Sequence, residues 1–326
     1  MKIGLIAPGI IEIPCKGWGA VEILIWDYYN ELNKLNHDTK IINIIRNNSQ
    51  EQTNSNSYYC KNLINIINNN DFDFVHLHYD VLYHILPKLN AKKIAFTSHY
   101  PYINNINNKN NFFKNIYNFI LNNNKYINFV LAQKDINFLI QQNANKKYIK
   151  KLENGIDSKL FNFSLNPKFK NKSIYLGKIS ERKKQYKYQN IQNIDFVGPY
   201  DCNKFNKNNK NYLGEWTRNQ IFDNLTNYAN LILLSDGEAD PLVVKEALIC
   251  GLGIVISQES GKNMPHKNFI NIIDSNNLDN INYIKDVIQK NKIYSLNNRN
   301  EIKEFAINNY DISKICYTYL KNINHI

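Results

Sequence analysis

Few features of this sequence restrict its class at first sight, and what is missing does much of the excluding. The five cysteines (Cys15, Cys60, Cys202, Cys250 and Cys316) stand far apart, odd in number and without a CxxC pair. That argues against a disulfide framework or a thiolate zinc site and fits a reducing compartment. No run of ~18 uncharged apolar residues occurs, so no segment reads as spanning a bilayer. The opening MKIGLIAPGIIEIPCKGWGA carries a short apolar run broken by Pro8, Gly9 and Pro14, with no small-residue cleavage site, so a secretory signal is not expected. Acidic residues are few, 28 against 40 Lys and Arg, for a formal net charge of +12. Part of that excess, like the Asn runs, follows from a composition that favours AT-rich codons. The basic residues are densest from Lys146 to Lys187 (NKKYIKK, PKFKNK, ERKKQYKYQ), where an anionic surface could dock. No RNA-recognition signature or zinc-finger spacing accompanies them, so no nucleic-acid partner is expected.

At 326 residues the chain is long enough for two domains. KIGLIAP reads as a strand, followed by a loop with Gly17 and Gly19. Val21, Leu24, Ile25, Tyr28 and Leu32 then fall at helical spacing, and TKIINII reads as a second strand. The alternation continues: strand FDFVHLHYD, short helix VLYHILPKL, strand KKIAFTSHY, helix FFKNIYNFIL, strand INFVLAQ and helix KDINFLIQQ. KKYIKKLENGID closes this half at the Asn154-Gly155 turn, and residues 161–172 form the expected linker. A second round follows, with strand KSIYLGKIS, strand-like NIDFVGPY and NYLGEW, a helix RNQIFDNLTNY capped by Thr217, strand NLILLSD, helix PLVVKEALIC and strand GIVISQE. The tail from about Asn298 reads as helical. Two such rounds predict an α/β protein of two doubly wound parallel-sheet domains facing a cleft, with ligands outside the carboxyl ends of the strands.

Three places after strands carry candidate chemistry. Gly177 and Lys178 follow SIYL, with Arg182, Lys183 and Lys184 close behind. Glu238 follows LILLSDG. Asp240 and Pro241 suit the N-cap and first position of a helix, continued by Leu242 and Val243, whose free N–H groups and positive dipole end would accept a phosphate. Lysines, a helix start and two carboxylates, Glu238 and Glu246 with seven residues between them, together describe a site for a nucleotide sugar. A solvated helix start with dipole-favoured glutamates is the simpler alternative. His76 and His78 in VHLHYD would place one ring toward the core and one toward the cleft; a His-x-His zinc pair lacks an evident third ligand, and no metal site is expected. Asp71-Phe72-Asp73 has the form of a DxD metal motif but reads as a strand entry.

GEADPLVVKEALICGLGIVIS resembles the donor-site signature of the GT-B glycosyltransferases of family 4. Five further stretches agree with that family in order: PCKGWGAVE with its N-terminal glycine loop, FDFVHLHYD and IAFTSHYPY with its two histidine-bearing strands, LENGIDSKLF with its interdomain element, and YLGKISERKKQ with its basic loop. The resemblance covers nearly the whole chain. It implies a GT-B fold with a Rossmann-like acceptor domain at 1–162, a Rossmann-like nucleotide-sugar donor domain at 163–306, and a C-terminal helix at 307–326 packing back on the first. The expected activity is retaining transfer of a sugar from a nucleotide-sugar donor, a UDP-sugar first and a GDP-sugar second, without a metal or other cofactor.

Carried over by the resemblance, Glu238 would bond the donor-sugar hydroxyls and Glu246 the ribose. Lys178 and Lys183 would hold the diphosphate, and His99 would touch the sugar near the reacting carbon. Gly17, Gly19 and Gly177 would let backbone approach the donor. The chain departs from the family at Ala239-Asp240-Pro241, where Pro-Phe-Gly is usual, and at Lys178, where Arg is usual. The acceptor, whether glycan, lipid-linked or protein, is not readable; Tyr100 and Tyr102 could stack on a sugar, and the basic surface fits a cytoplasmic protein touching a membrane. A sugar-nucleotide epimerase or phosphorylase shares the fold, and a non-catalytic sugar- or nucleic-acid-binding relative is the alternative from another class.

Overall fold

The computed structural model describes residues 1–99, 103 and 111–324, with nothing of the side chains at 111 and 112. Tyr100 and Tyr102 lie outside the described residues. The chain divides into two compact units: Met1–Cys15, Gly19–Asn154 and Ile315–Ile326 form one, and Lys16–Trp18 with Gly155–Lys314 form the other.

In the first unit the elements run β1 (Lys2–Ile6), α1 (Ala20–Lys34), β2 (Asp38–Ile42), α2 (Tyr58–Asn68), β3 (Phe74–Leu77), β4 (Lys93–Thr97), α3 (Asn111–Asn122), β5 (Ile127–Val130), α4 (Gln133–Gln141) and β6 (Ile149–Lys151). The six strands order as β2-β1-β3-β4-β5-β6, all parallel. β3 and β5 are buried at every position, including the polar His76 and Asn128, so they show no alternation of core and solvent faces. α1 turns Leu24, Ile25, Tyr28 and Leu32 inward, the stripe its spacing predicts. VLYHILPKL departs from expectation: Asp80–Lys88 is 3-10 rather than α-helical, with Pro87 inside its last turn. β6 and α2 are additions to the sequence reading; α2 starts at Ser57, whose Oγ accepts from Cys60 N at 3.2 Å. Asp73 accepts from Lys2 N at 2.8 Å and pairs with Lys92 at 2.6 Å, which makes the Asp71-Phe72-Asp73 stretch a strand entry.

The second unit runs β7 (Phe169–Leu176), β8 (Ile179–Ser180), α5 (Gln185–Tyr188), β9 (Ile194–Val197), β10 (Tyr200–Asp201), α6 (Arg218–Asn224), β11 (Tyr228–Leu233), α7 (Leu242–Ile249), β12 (Gly253–Ser257), β13 (Ile270–Ile273), α8 (Ile281–Asn297), α9 (Arg299–Tyr310) and α10 (Ile312–Asn324), whose residues from Ile315 belong to the first unit. Its main sheet orders as β13-β12-β11-β7-β9, again parallel. Two expectations are corrected here. The linker placed at 161–172 ends inside β7, because Phe169 pairs with Tyr228 of β11. NYLGEW is not a strand: Tyr212 makes a single bridge to Phe196, and Gly214 turns the chain at φ 74°.

α6 opens on a capping box in which Thr217 and Gln220 satisfy each other's backbone N–H groups. α8 was not legible because its inward face is partly polar, with Asn291, Lys292 and Ser295 buried beside Ile284 and Ile288. Asn291 Nδ2 donates to the carbonyls of Ile254 and Phe269, both at 3.1 Å, and its Oδ1 accepts from Asn230 at 3.0 Å. A buried amide therefore docks this helix on β11, β12 and the entry to β13. No helix among the described residues is long and apolar enough to cross a membrane.

Candidate active site

The second unit brings the loops after β7 and β11 together. Gly177 leaves β7 at φ 147°, and a Cβ there would lie 3.2 Å from Lys183 Nζ. Gly198 lies so close that a Cβ would meet Gly177 O at 2.2 Å, which only glycine permits. Tyr175, buried in β7, donates its hydroxyl proton to Lys183 O and accepts from Leu234 N at 2.9 Å, so one phenol sets both loops. Asp236 N donates to Arg182 O at 2.9 Å, Arg182 donates to Gly237 O, and Lys184 pairs with Asp236. The three consecutive basic residues, which the sequence leaves readable as a solvated face, each take a partner in the 235–238 loop.

Glu238 is the focus of this clamp. Its Oε1 lies 2.9 Å from Lys183 Nζ and 3.0 Å from Arg182 Nη1, and its side chain is 13% exposed. Burial by itself would raise the carboxyl's pKa; the two cations outweigh it and hold the group below its ordinary value. The result is an ionised, largely buried carboxylate held between two cations, a charge set that an anionic ligand could re-pair. Lys178 is not in this cluster: it pairs with Asp201 at 2.6 Å and lies over Trp18, with its ring centroid 6.0 Å away. Arg182 takes the second cationic place instead, and its single-residue offset from Lys183 gave no signal that it, rather than Lys178, would turn inward.

The start of α7 differs from expectation. Pro241 is the N-cap and Leu242 the first helical residue, so Asp240 is not the cap. The Asp240 carboxylate is drawn instead to Lys245, 2.6 Å away, in a pair whose two side chains are fully buried, with Lys245 also over the Tyr310 ring. Glu246, one turn in, is 3% exposed, and its Oε1 lies 2.8 Å from Arg218 Nη2. Arg218 stacks 4.8 Å from the Phe222 ring centroid and donates its backbone N–H to Lys16 O at 2.9 Å. It was missed because an arginine one residue past a helix cap has no spacing that points to a carboxylate 28 residues on. Gly17 sits against the same segment, where a Cβ would lie 2.7 Å from Glu215 Oε1. Gly19, φ 125°, opens α1 in the first unit, where a Cβ would crowd Ile11 Cδ1 at 2.5 Å.

His99 lies in the first unit, beyond the end of β4, half-buried and joined to other imidazoles. His78 Nδ1 is 3.3 Å from His99 Nε2, and the His76 and His78 ring centroids are 3.8 Å apart. The expectation that one of His76 and His78 faces the core and the other the cleft is corrected: both are 1% exposed, because the extended chain continues one residue past β3 and keeps His78 on the same face as His76. His76 bonds Tyr319 Oη at 3.0 Å and Thr97 Oγ1 at 2.8 Å. Burial lowers the pKa of all three rings, His99 to about 4, and the neighbouring imidazoles lower His76 and His78 further. Nearby, burial raises the Asp80 carboxyl to about 7, against hydrogen bonds from Ser98 and Val81. No group of three or more His, Cys, Asp or Glu among the described residues is arranged to hold a metal.

No family model matches the sequence, and no curated protein matches it. Solved structures match over the full chain. Sucrose-phosphate synthase from Thermosynechococcus elongatus aligns with a TM-score of 0.74 at 11% identity, covering 99% of this chain and 98% of that one. Anabaena HepE in complex with UDP-glucose aligns with a TM-score of 0.71 at 13% identity over 100% of both chains. A glycosyltransferase from Rickettsia africae aligns with a TM-score of 0.63 at 13% identity, covering 99% and 98%. With two Rossmann-like parallel sheets in this element order, the chain has the GT-B α/β fold.

Proposed function

We propose that the protein is a glycosyltransferase that moves a sugar from a nucleotide-sugar donor, a UDP-sugar first, to an acceptor hydroxyl with retention of anomeric configuration. The observation that carries this is the Arg182–Lys183–Glu238 cluster at the carboxyl ends of β7 and β11, where open α/β sheets bind ligands. The solved HepE complex with UDP-glucose supports the choice of donor.

In this reading the donor diphosphate takes Arg182 and Lys183 from Glu238. The freed carboxylate then accepts hydrogen bonds from the donor sugar. Gly177 and, at the start of α7, Asp240, Leu242 and Val243 offer backbone N–H groups to phosphate oxygens, while Pro241, which has none, fixes the turn into the helix. Glu246 receives the ribose hydroxyls, and Lys178, leaving Asp201, adds charge toward the diphosphate. As the bond from the anomeric carbon to the β-phosphate oxygen breaks, negative charge grows on that phosphate, and two fixed cations stabilise it with little reorganisation. The acceptor oxygen bonds to the anomeric carbon on the same face, and its proton passes to the departing phosphate. His99, neutral at working pH, is assigned to a polar contact near the reacting carbon. The cations supply the charge that a metal would otherwise bring, so the reading needs no metal.

The test is a panel of UDP-, GDP-, ADP- and dTDP-sugars with EDTA present, following thermal shift and released nucleotide together. One donor that both shifts the protein and releases nucleotide is the expected result. A shift without release in the presence of varied acceptors would favour a non-catalytic binder, and no shift with any donor would overturn the reading.

A further inference from the structure

The imidazole of His78 does work that the proposed chemistry leaves unused. Its Nδ1 faces His99 Nε2 at 3.3 Å, with the two rings 13° from parallel and their centroids 5.6 Å apart, the separation expected when the hydrogen bond lies along the line joining the rings rather than between stacked faces. Two neutral imidazoles can place only one proton on that line. If His99 Nε2 carried it, the His78 proton would have to sit on Nε2. That atom is buried and has no hydrogen-bond partner among the described residues. An orphaned buried N–H is rarer than an orphaned acceptor, so the first arrangement is the costlier. His76 imposes no competing choice, because both its nitrogens meet hydroxyls, Tyr319 and Thr97, that can donate or accept.

We propose that His78 is a positioning residue that fixes the tautomer of His99: His78 Nδ1–H donates to His99 Nε2, and His99 presents its own Nδ1–H as a donor. His99 then meets its ligand by giving a hydrogen bond to an oxygen, a sugar hydroxyl or a phosphate, and does not act as a base through Nε2. Tilted rings packed against His78 hold it in place: His76 lies 3.8 Å away and Tyr28 6.0 Å away, centroid to centroid. The ligand class rests on the transferase reading, whereas the tautomer does not.

The experiment reads ring nitrogens by long-range proton–nitrogen NMR on the ligand-free 15N-labelled full chain, with His99→Gln assigning the resonances. Expected for His99 is a protonated Nδ1 and an unprotonated Nε2, with His78 also protonated at Nδ1. Protonation of His99 at Nε2 would overturn the proposal without any variant having to fold. His78→Asn places an amide N–H where Nδ1 stood, and His78→Gln places one where Nε2 stood. The His99 tautomer should persist in the first and become mixed in the second; the same spectrum in both would reduce His78 to packing. Correct tautomers in a chain that releases no nucleotide from any donor would sink the transferase reading alone, and active transfer with the opposite tautomer would sink this inference alone.

Discussion

Glu238 has two partners of opposite charge before any ligand arrives, and this makes its effects on binding and turnover separable. Glu238→Gln removes the competitor for Lys183 and Arg182 while keeping the side chain's size. UDP should then bind at least as tightly as to the unaltered protein, while transfer falls roughly 10- to 150-fold, the cost of one hydrogen bond to a charged group. Calorimetry and single-turnover rates measure the two; weaker UDP binding with unchanged turnover would remove Glu238 from the sugar site. Asp80 invites a test by pH. Its folded carboxyl keeps its proton to about pH 7, while the unfolded chain releases it near 3.8, so the native state binds more protons in between and stability falls as pH rises through that window. Asp80→Asn should therefore match the parent near pH 4 and be more stable by about 4 kcal/mol at pH 8 in urea unfolding. A constant difference across that range would mean that Asp80 ionises normally.

At the scale of elements, polar side chains buried under helices decide much of the second unit. Arg299, 1% exposed at the head of α9, donates to the carbonyls of Ser164, Tyr228, Thr226 and Cys250, and so ties the helix to the chain before β7, to β11 and to the end of α7. Asn291 does the same for α8. Asn291→Ala would leave the buried Asn230 amide and the Ile254 and Phe269 carbonyls short of partners, so it should cost about 2–4 kcal/mol. Chemical unfolding reads this, and a loss under 1 kcal/mol would mean that water replaces the amide. These helices were hard to read because a polar inward face weakens apolar periodicity. The glycine turns, Thr217 before α6 and the apolar strands were legible because each rests on local backbone preference.

Across the whole molecule, the donor reading ties ligand binding to folding. UDP held at a hundred times its dissociation constant should stabilise the folded chain by about 2.7 kcal/mol. The accompanying slowing of amide exchange should concentrate in 177–184 and 235–246, the segments that Tyr175 and the basic run lock together. Protection spread evenly, or confined to the first unit, would place the nucleotide elsewhere. The sequence by itself determined the two α/β rounds, the glycine that must leave β7, and the pair of glutamates flanking the start of α7. Strand, turn and cap preferences act over a few residues, and that is why they can be read in order along the chain. Only the tertiary structure decided which charges meet. Arg182 rather than Lys178 faces Glu238, Arg218 closes on Glu246, Asp240 turns from the cap to Lys245, and His76, His78 and His99 come into contact in series. Such pairings join residues far apart in the chain, and burial, which makes an unpaired charge or N–H costly, selects among partners that local sequence leaves equivalent.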